Sequence, residues 1–367
     1  MTMKVPFLDL RIIDEDERSE LFKAIEEVFD HGRLILGPEV GRLEQRVAQL
    51  TQRRYAAGVN SGTDALFLTL RAMGIGPGDE VITTPLSFIA TANAIALNGA
   101  SPVFADILDD MTLDPQSIIP LITEKTRAVL PVHWAGRVCR MEEINAIAAH
   151  YGLAVIEDCS QAFGAMRHGK PAGSFGVAGC FSMNTMKCFA SVGEAGMVVT
   201  DQDTLYETLD ALRYNGLVNR EICHFVSHNS RMDTIQAAIL GKRLDHYEGL
   251  LAKRRSHAQY YLEALKSVAT MAQEEVNCRD IYYTMTIQVD QRDALKDYLE
   301  KHGIESRIQH FPLMPDQPVY RNSTRNNTRH AHTLIQRMLC IPASEKLTVE
   351  QREYVASKIL EFTHAGS

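Results

Sequence analysis

No stretch of the sequence approaches the ~20 consecutive apolar residues that a membrane-spanning helix needs. The opening residues MTMKVPFLDL have neither the basic block nor the apolar block of a secretory leader. The expectation is a cytoplasmic protein with no membrane partner. Cysteine is sparse and odd in number, seven scattered residues with no Cys-x-x-Cys spacing. Neither a disulfide framework nor a zinc ribbon follows from that pattern, so reduced thiols and no metal are expected. Positive charge is in deficit, 38 Lys and Arg against 46 Asp and Glu, for a formal net charge of -8. Such a surface favours solubility and argues against nucleic acid as a partner. There is one tryptophan, no internal repeat and no low-complexity tract.

What is there reads as α/β. Leu21, Phe22, Ile25, Val28 and Phe29 recur at helical spacing and predict a helix over 14–30 ending near Gly32. Leu43, Val47 and Leu50 mark a second helix after the turn at Gly37-Pro38-Glu39. From residue 74, strand-like runs at 80–84, 102–106, 128–132, 153–157, 178–182 and 196–200 alternate with helical patterns. That rhythm predicts a mostly parallel central sheet flanked by helices on both faces. Helical patterns at 202–213, 231–247 and 253–265 then lead to a strand at 283–289 and a helix at 292–302. A strand-like run at 304–309 and a helix at about 349–362 end the chain. The expected division is a large domain, 1–245, and a smaller α+β C-terminal domain, 246–367.

Two residues stand at strand ends of this pattern. Asp158 closes the run Leu153-Ala154-Val155-Ile156-Glu157, and Lys187 follows Ala178-Gly179-Cys180-Phe181-Ser182. Side chains just past the carboxyl ends of neighbouring strands share a crevice in open α/β sheets. A lysine and a carboxylate there suit pyridoxal phosphate, the amine forming a Schiff base and the acid keeping the pyridine nitrogen protonated. A surface lysine and a helix-capping aspartate fit the same spacing. Asn60-Ser61-Gly62-Thr63-Asp64 opens a helix, as an anion cup or as an ordinary N-cap. Phe88 is placed to stack on a cofactor ring or to fill the core. His133 and Trp134 follow a strand end and line a substrate, or the tryptophan anchors packing. Gln161, three residues after Asp158, is placed to reach a ring substituent. Arg321, Arg325 and Arg329 occupy a polar loop, 316–330, as a solvated face or a clamp for a phosphorylated substrate.

The motifs VPFLDL (Val5 to Leu10), GPEV (Gly37 to Val40), NSGTDAL (Asn60 to Leu66), GPGDEVI (Gly76 to Ile82) and GASPVFAD (Gly99 to Asp106) then follow one another in order. VIEDCSQAFGA (Val155 to Ala165), FSMNTMK (Phe181 to Lys187), GEAGMVVT (Gly193 to Thr200) and NSRMDTIQAAIL (Asn229 to Leu240) continue the series. In this combination the chain resembles the DegT/DnrJ/EryC1/StrS sugar aminotransferases, of the aspartate aminotransferase fold type I. The resemblance implies pyridoxal 5'-phosphate bound at Lys187, with pyridoxamine 5'-phosphate formed in turnover. It implies Asp158 as the pyridine-nitrogen partner, Gln161 at the ring hydroxyl and Phe88 stacked on the ring. Gly62, Thr63 and Ser182 match the phosphate cup, and Asn184 a position near it. Asn229 matches a residue crossing from a second subunit, so a homodimer with shared active sites is implied.

Trp134-Ala135 and Val226-Ser227-His228 depart from the family pattern, on the substrate wall and before Asn229. A dehydratase branch carries histidine where Lys187 stands, so the lysine favours transamination. The expected reaction moves an amino group from glutamate to a nucleotide-linked keto-sugar. The alternatives are a cyclitol or aminoshikimate-type ketone as acceptor, or a noncatalytic cofactor-binding regulator.

Overall fold

The computed structural model describes residues 3–321 and 325–365; Asn322, Ser323 and Thr324 of the polar loop lie outside the described residues. The first helix, α1 (Glu15–His31), starts where the Asp14 side chain accepts from the Glu17 N–H at 2.9 Å. It stops at Gly32, whose φ of 65° is left-handed. Next come α2 (Pro38–Leu50), β1 (Tyr55–Val59), α3 (Gly62–Ala72), β2 (Glu80–Thr83), α4 (Ala90–Leu97) and β3 (Ser101–Phe104). They are followed by β4 (Thr126–Leu130), α5 (Met141–Tyr151), β5 (Ala154–Asp158), β6 (Ala178–Ser182), β7 (Gly196–Thr200) and α6 (Asp203–Arg213).

These strands make one seven-stranded sheet in the order β1-β7-β6-β5-β4-β2-β3. β2 to β6 are parallel, and β7 runs antiparallel to both β6 and β1. The period of two along each strand sends neighbours to opposite faces. Ile82, Val129, Val155 and Phe181 enter one core with Leu43 and Leu240. Val81, Ala128, Ile156 and Cys180 enter the other, under Leu66, Leu70 and Leu209. A sheet buried on both sides exposes side chains only at its strand ends, which is where the site lies.

The two helices expected at 231–247 and 253–265 are a single 31-residue helix, α7 (Thr234–Ala264). Its Leu240, Leu244, Tyr247 and Leu251 belong to the large core, and Ala258, Tyr261 and Leu262 to a second core. The change of partner along the helix shifts its apolar face and reads in sequence as a break. The division expected at 245/246 therefore falls inside α7, and the cores exchange between Leu251 and Ala258. The second core gathers Val5, β8 (Met285–Gln288), α8 (Arg292–Lys301), β9 (Met338–Ile341) and α9 (Val349–Ala365). The run 304–309 is no strand. It makes isolated bridges, Ile304 to Val5 and Arg307 to Cys340, while β8 pairs with β9.

Candidate active site

Asp158 ends β5 and is 3% exposed. Its Oδ2 accepts from the Thr91 hydroxyl at 2.8 Å and its Oδ1 from the Ser160 N–H at 3.0 Å. Thr91 comes from α4 and is itself bonded to the Ser87 hydroxyl at 2.9 Å. No cationic side chain among the described residues pairs with Asp158. A buried carboxylate with hydrogen bonds and no countercharge is a costly arrangement, relieved by a bound cation.

The neighbouring acid, Glu157, is a different case. It is fully buried on the other face of the sheet and accepts from His133 at 2.9 Å. The N–H groups of Gly173, Phe175 and Gly176 also donate to it, at 2.9, 2.7 and 2.7 Å. Burial alone would raise the carboxyl, but the His133 and backbone bonds hold it below its ordinary 4.5. Burial likewise opposes charge on His133, and the Cys139 N–H donates to its Nδ1 at 3.2 Å, so the ring is neutral and its Nε2–H is the donor to Glu157. Cys159 beside them is pushed up to about 12, chiefly by burial.

Glu157→Gln is therefore expected to cost about 3–5 kcal/mol, because it removes the charged acceptor of the His133 Nε2–H and turns an amide N–H toward the backbone donors of Gly173, Phe175 and Gly176. The lowered carboxyl contributes above pH 4.5 and is lost as pH falls below it. The melting-temperature gap between native and variant should be widest above pH 4.5 and shrink as the pH falls below it. A gap independent of pH would mean that Glu157 is not ionised.

Lys187 sits in a loop after β6 that is pinned to itself by Met183 N to Ala195 O, Ser191 N to Met183 O and Lys187 N to Asn184 O, at 2.8, 2.8 and 2.9 Å. Its Nζ lies 5.0 Å from the centre of the Tyr283 ring, and no carboxylate among the described residues pairs with it. Tyr283 is held in register by its own N–H, which donates to the Ala135 carbonyl at 2.9 Å. The Ala135 N–H in turn donates to Gln161 Oε1 at 2.8 Å. That bond fixes the orientation of the Gln161 amide and leaves its NH2 group available. Sequence reasoning missed Tyr283 and His310, which come from distant segments with no motif of their own.

The turn before α3 has its own geometry. Ser61 caps the helix, its hydroxyl accepting from the Asp64 N–H at 3.1 Å. The N–H groups of Gly62 and Thr63 have no acceptor among the described residues. Gly62 lies so close to Ser182 that a Cβ there would meet the serine Cβ at 2.4 Å. Two free N–H groups and two hydroxyls, of Thr63 and Ser182, thus gather at the positive end of an 11-residue helix. Phe88, just ahead of α4, is 59% exposed, which removes the core alternative and leaves its ring available.

Other expected site residues are placed differently. His133 is fully buried in the Glu157 pair and touches no substrate. Trp134 is 1% exposed and packs with Leu86, Met111 and Leu313, so it anchors the wall from behind. Asn184 spends its amide within the loop, donating to Glu194 at 2.5 Å and accepting from the Met186 N–H at 2.9 Å. Arg325 reaches back to the starting end of β2, where it pairs with Glu80 at 2.8 Å and bonds the Leu121 carbonyl. Arg321 donates to the Asp316 carbonyl at 3.2 Å, and Arg329 begins a short helix, Arg329–Ile335. The phosphate clamp expected of these arginines is not assembled, because residues 325–327 run along the edge of β3 and direct Arg325 away from the strand ends. Asn229 is exposed beside β1, between His228 and Ser230, which bond the carboxylate of Asp64 in the first turn of α3 at 3.0 and 2.6 Å.

Residues 15–360 match the model of the DegT/DnrJ/EryC1/StrS aminotransferase family. The chain belongs to this family. It is an aminotransferase, and the family's enzymes depend on pyridoxal phosphate. The "Pleiotropic regulatory protein" of Geobacillus stearothermophilus is 37% identical, over 98% of this chain and 99% of that one. The UDP-N-acetyl-3-dehydro-alpha-D-glucosamine 3-aminotransferase of Acidithiobacillus ferrooxidans is also 37% identical, over 98% of both chains. Among solved structures, DesV of S. venezuelae in complex with a ketimine intermediate superposes with a TM-score of 0.94 at 34% identity, over 99% of both chains. The α/β fold with its mostly parallel sheet is the fold of these DegT/DnrJ/EryC1/StrS aminotransferases.

Proposed function

We propose that this DegT/DnrJ/EryC1/StrS aminotransferase binds pyridoxal phosphate at Lys187 and moves an amino group from glutamate onto a keto-sugar carried by a nucleotide. The observation that carries the cofactor reading is Asp158, buried and without a countercharge, on the strand next to the one that leads to Lys187. The sugar-nucleotide acceptor is supported by relatives along the whole chain, such as the A. ferrooxidans enzyme and a dTDP-3-amino-3,6-dideoxy-alpha-D-galactopyranose transaminase of Aneurinibacillus thermoaerophilus.

The residues present fit the cofactor. When bound, it supplies a carbonyl that takes the amino group and a ring that accommodates the electron pair released at carbon. Asp158 holds the ring nitrogen protonated, and the Thr91 and Ser160 bonds keep the carboxylate aimed. The Gly62 and Thr63 N–H groups, with the Thr63 and Ser182 hydroxyls, hold the phosphate. Gln161 offers its NH2 to the ring hydroxyl, and Phe88 its exposed face. The Lys187 amine, with no anionic partner to restrain it, would move the proton at the substrate carbon once the cofactor is held.

Borohydride should abolish the visible absorbance of the cofactor-loaded protein and leave the adduct on the Lys187 peptide. Glutamate with a panel of nucleotide keto-sugars should yield 2-oxoglutarate and an amino sugar. Labelling at another lysine would overturn the cofactor assignment, and transfer only to free cyclitol ketones would overturn the acceptor. Formation of 2-oxoglutarate would exclude a noncatalytic regulatory reading.

The homodimer with shared sites rests on the resemblance at Asn229. Mixing Asn229→Ala with Lys187→Ala chains should restore activity in heterodimers, since one site then carries both intact residues. No recovery after confirmed subunit exchange would place Asn229 in its own chain's site, beside the α3 turn that its neighbours already hold.

A further inference from the structure

We propose that His310 is a substrate-positioning residue that hydrogen-bonds a hydroxyl of the acceptor's sugar ring, in a wall shared with Phe88 and Trp134. The proposal rests on the sugar-acceptor reading above and names the residue that recognises the sugar. His310 adopts φ 59°, in the left-handed region that histidine occupies only sparsely. That backbone turns the ring edge-on to Trp134, with centroids 5.0 Å apart at 72°. It also sets the ring at 6.0 Å and 54° from Phe88, the exposed aromatic of the site. Trp134 is locked among Leu86, Met111 and Leu313, so the imidazole rests on an immobile surface.

No hydrogen bond from the described residues reaches either ring nitrogen of His310, and the side chain is only partly buried, so both nitrogens are open to a ligand. Burial, and then the charge of Lys187, hold the imidazole down to about 4, so it is neutral at neutral pH. A neutral imidazole has one donor and one acceptor. It matches a hydroxyl, which both gives and takes a hydrogen bond, more fully than it matches a carboxylate or a phosphate, which engage only its donor. The Phe88 ring beside it suits the C–H face of a sugar ring. The site thus separates its two substrates by chemistry, with His310 serving the sugar half-reaction.

Two variants respect the left-handed backbone: His310→Gly, which removes the ring, and His310→Asn, which keeps a neutral donor and acceptor. Calorimetry on the pyridoxamine phosphate form would compare UDP- and dTDP-linked amino sugars with UDP and dTDP alone. His310→Gly should weaken the sugar nucleotides about tenfold and leave the bare nucleotides and the single-turnover rate with glutamate within about twofold. His310→Asn should recover most of the lost affinity. Equal weakening with and without the sugar, an equal loss in the glutamate step, or no rescue by asparagine would make His310 a packing residue and overturn the proposal. Native protein that converts glutamate but binds no sugar nucleotide would overturn the acceptor reading, and this assignment with it. Native-like binding by His310→Gly would overturn this assignment alone.

Discussion

Lys187→Ala is expected to lower single-turnover conversion of glutamate by at least about 10⁴-fold, because one amine both attaches the cofactor and carries the proton. The fold should be nearly indifferent. Lys187 has no ion-pair partner among the described residues, and its approach to the Tyr283 ring contributes about 0.5–1 kcal/mol. The melting temperature should therefore move by only a few degrees. Pyridoxal phosphate should still bind, now without the borohydride-sensitive attachment, because Asp158 and the α3 turn are untouched. Rapid-quench measurement of 2-oxoglutarate, beside equilibrium dialysis of the cofactor, tests both halves. A variant that keeps more than a hundredth of the native rate would transfer the proton-carrying role to another group.

Asp158→Asn should slow the same step by about 10²–10³-fold, the range seen when one preorganised electrostatic contact is removed. The substitution keeps the shape of the side chain. Its carbonyl can accept from the Ser160 N–H, and its NH2 can face Thr91, whose hydroxyl also bonds Ser87 and is free to turn. What disappears is a buried carboxylate with no countercharge, so the cofactor-free variant should melt at the native temperature or above it. The rise in melting temperature on adding cofactor should be smaller than in the native protein, since the ring nitrogen loses its anion. Scanning calorimetry with and without cofactor reads both signs. A variant with native single-turnover rate would reduce Asp158 to a structural acid.

Much of this was legible because the central strands are buried on both faces. Such strands read as uninterrupted apolar runs, and their ends mark the residues that face the crevice. Asp158 and Lys187 were found that way. β1 was not, because Tyr55-Ala-Ala-Gly-Val has few of the β-branched residues that signal a strand. β9, Met-Leu-Cys-Ile, is too short for its period to separate strand from helix. The polar run at 304–309 alternates like a strand, yet its backbone serves only single bridges to Val5 and Cys340.

The sequence by itself determined which residues stand at the strand ends, the α3 turn and the order of motifs, since these depend on local spacing. Tertiary structure alone decided what each of them meets. His133 and Phe88 read alike in sequence, but packing sealed the first against Glu157 and left the second open. Arg325 looked like a phosphate ligand until the edge of β3 directed it to Glu80. Tyr283 and His310 were silent in the chain because their neighbours, Lys187, Trp134 and Phe88, lie far away in sequence. A local pattern fixes a side chain's face, whereas its partners depend on which distant segments the cores bring against it.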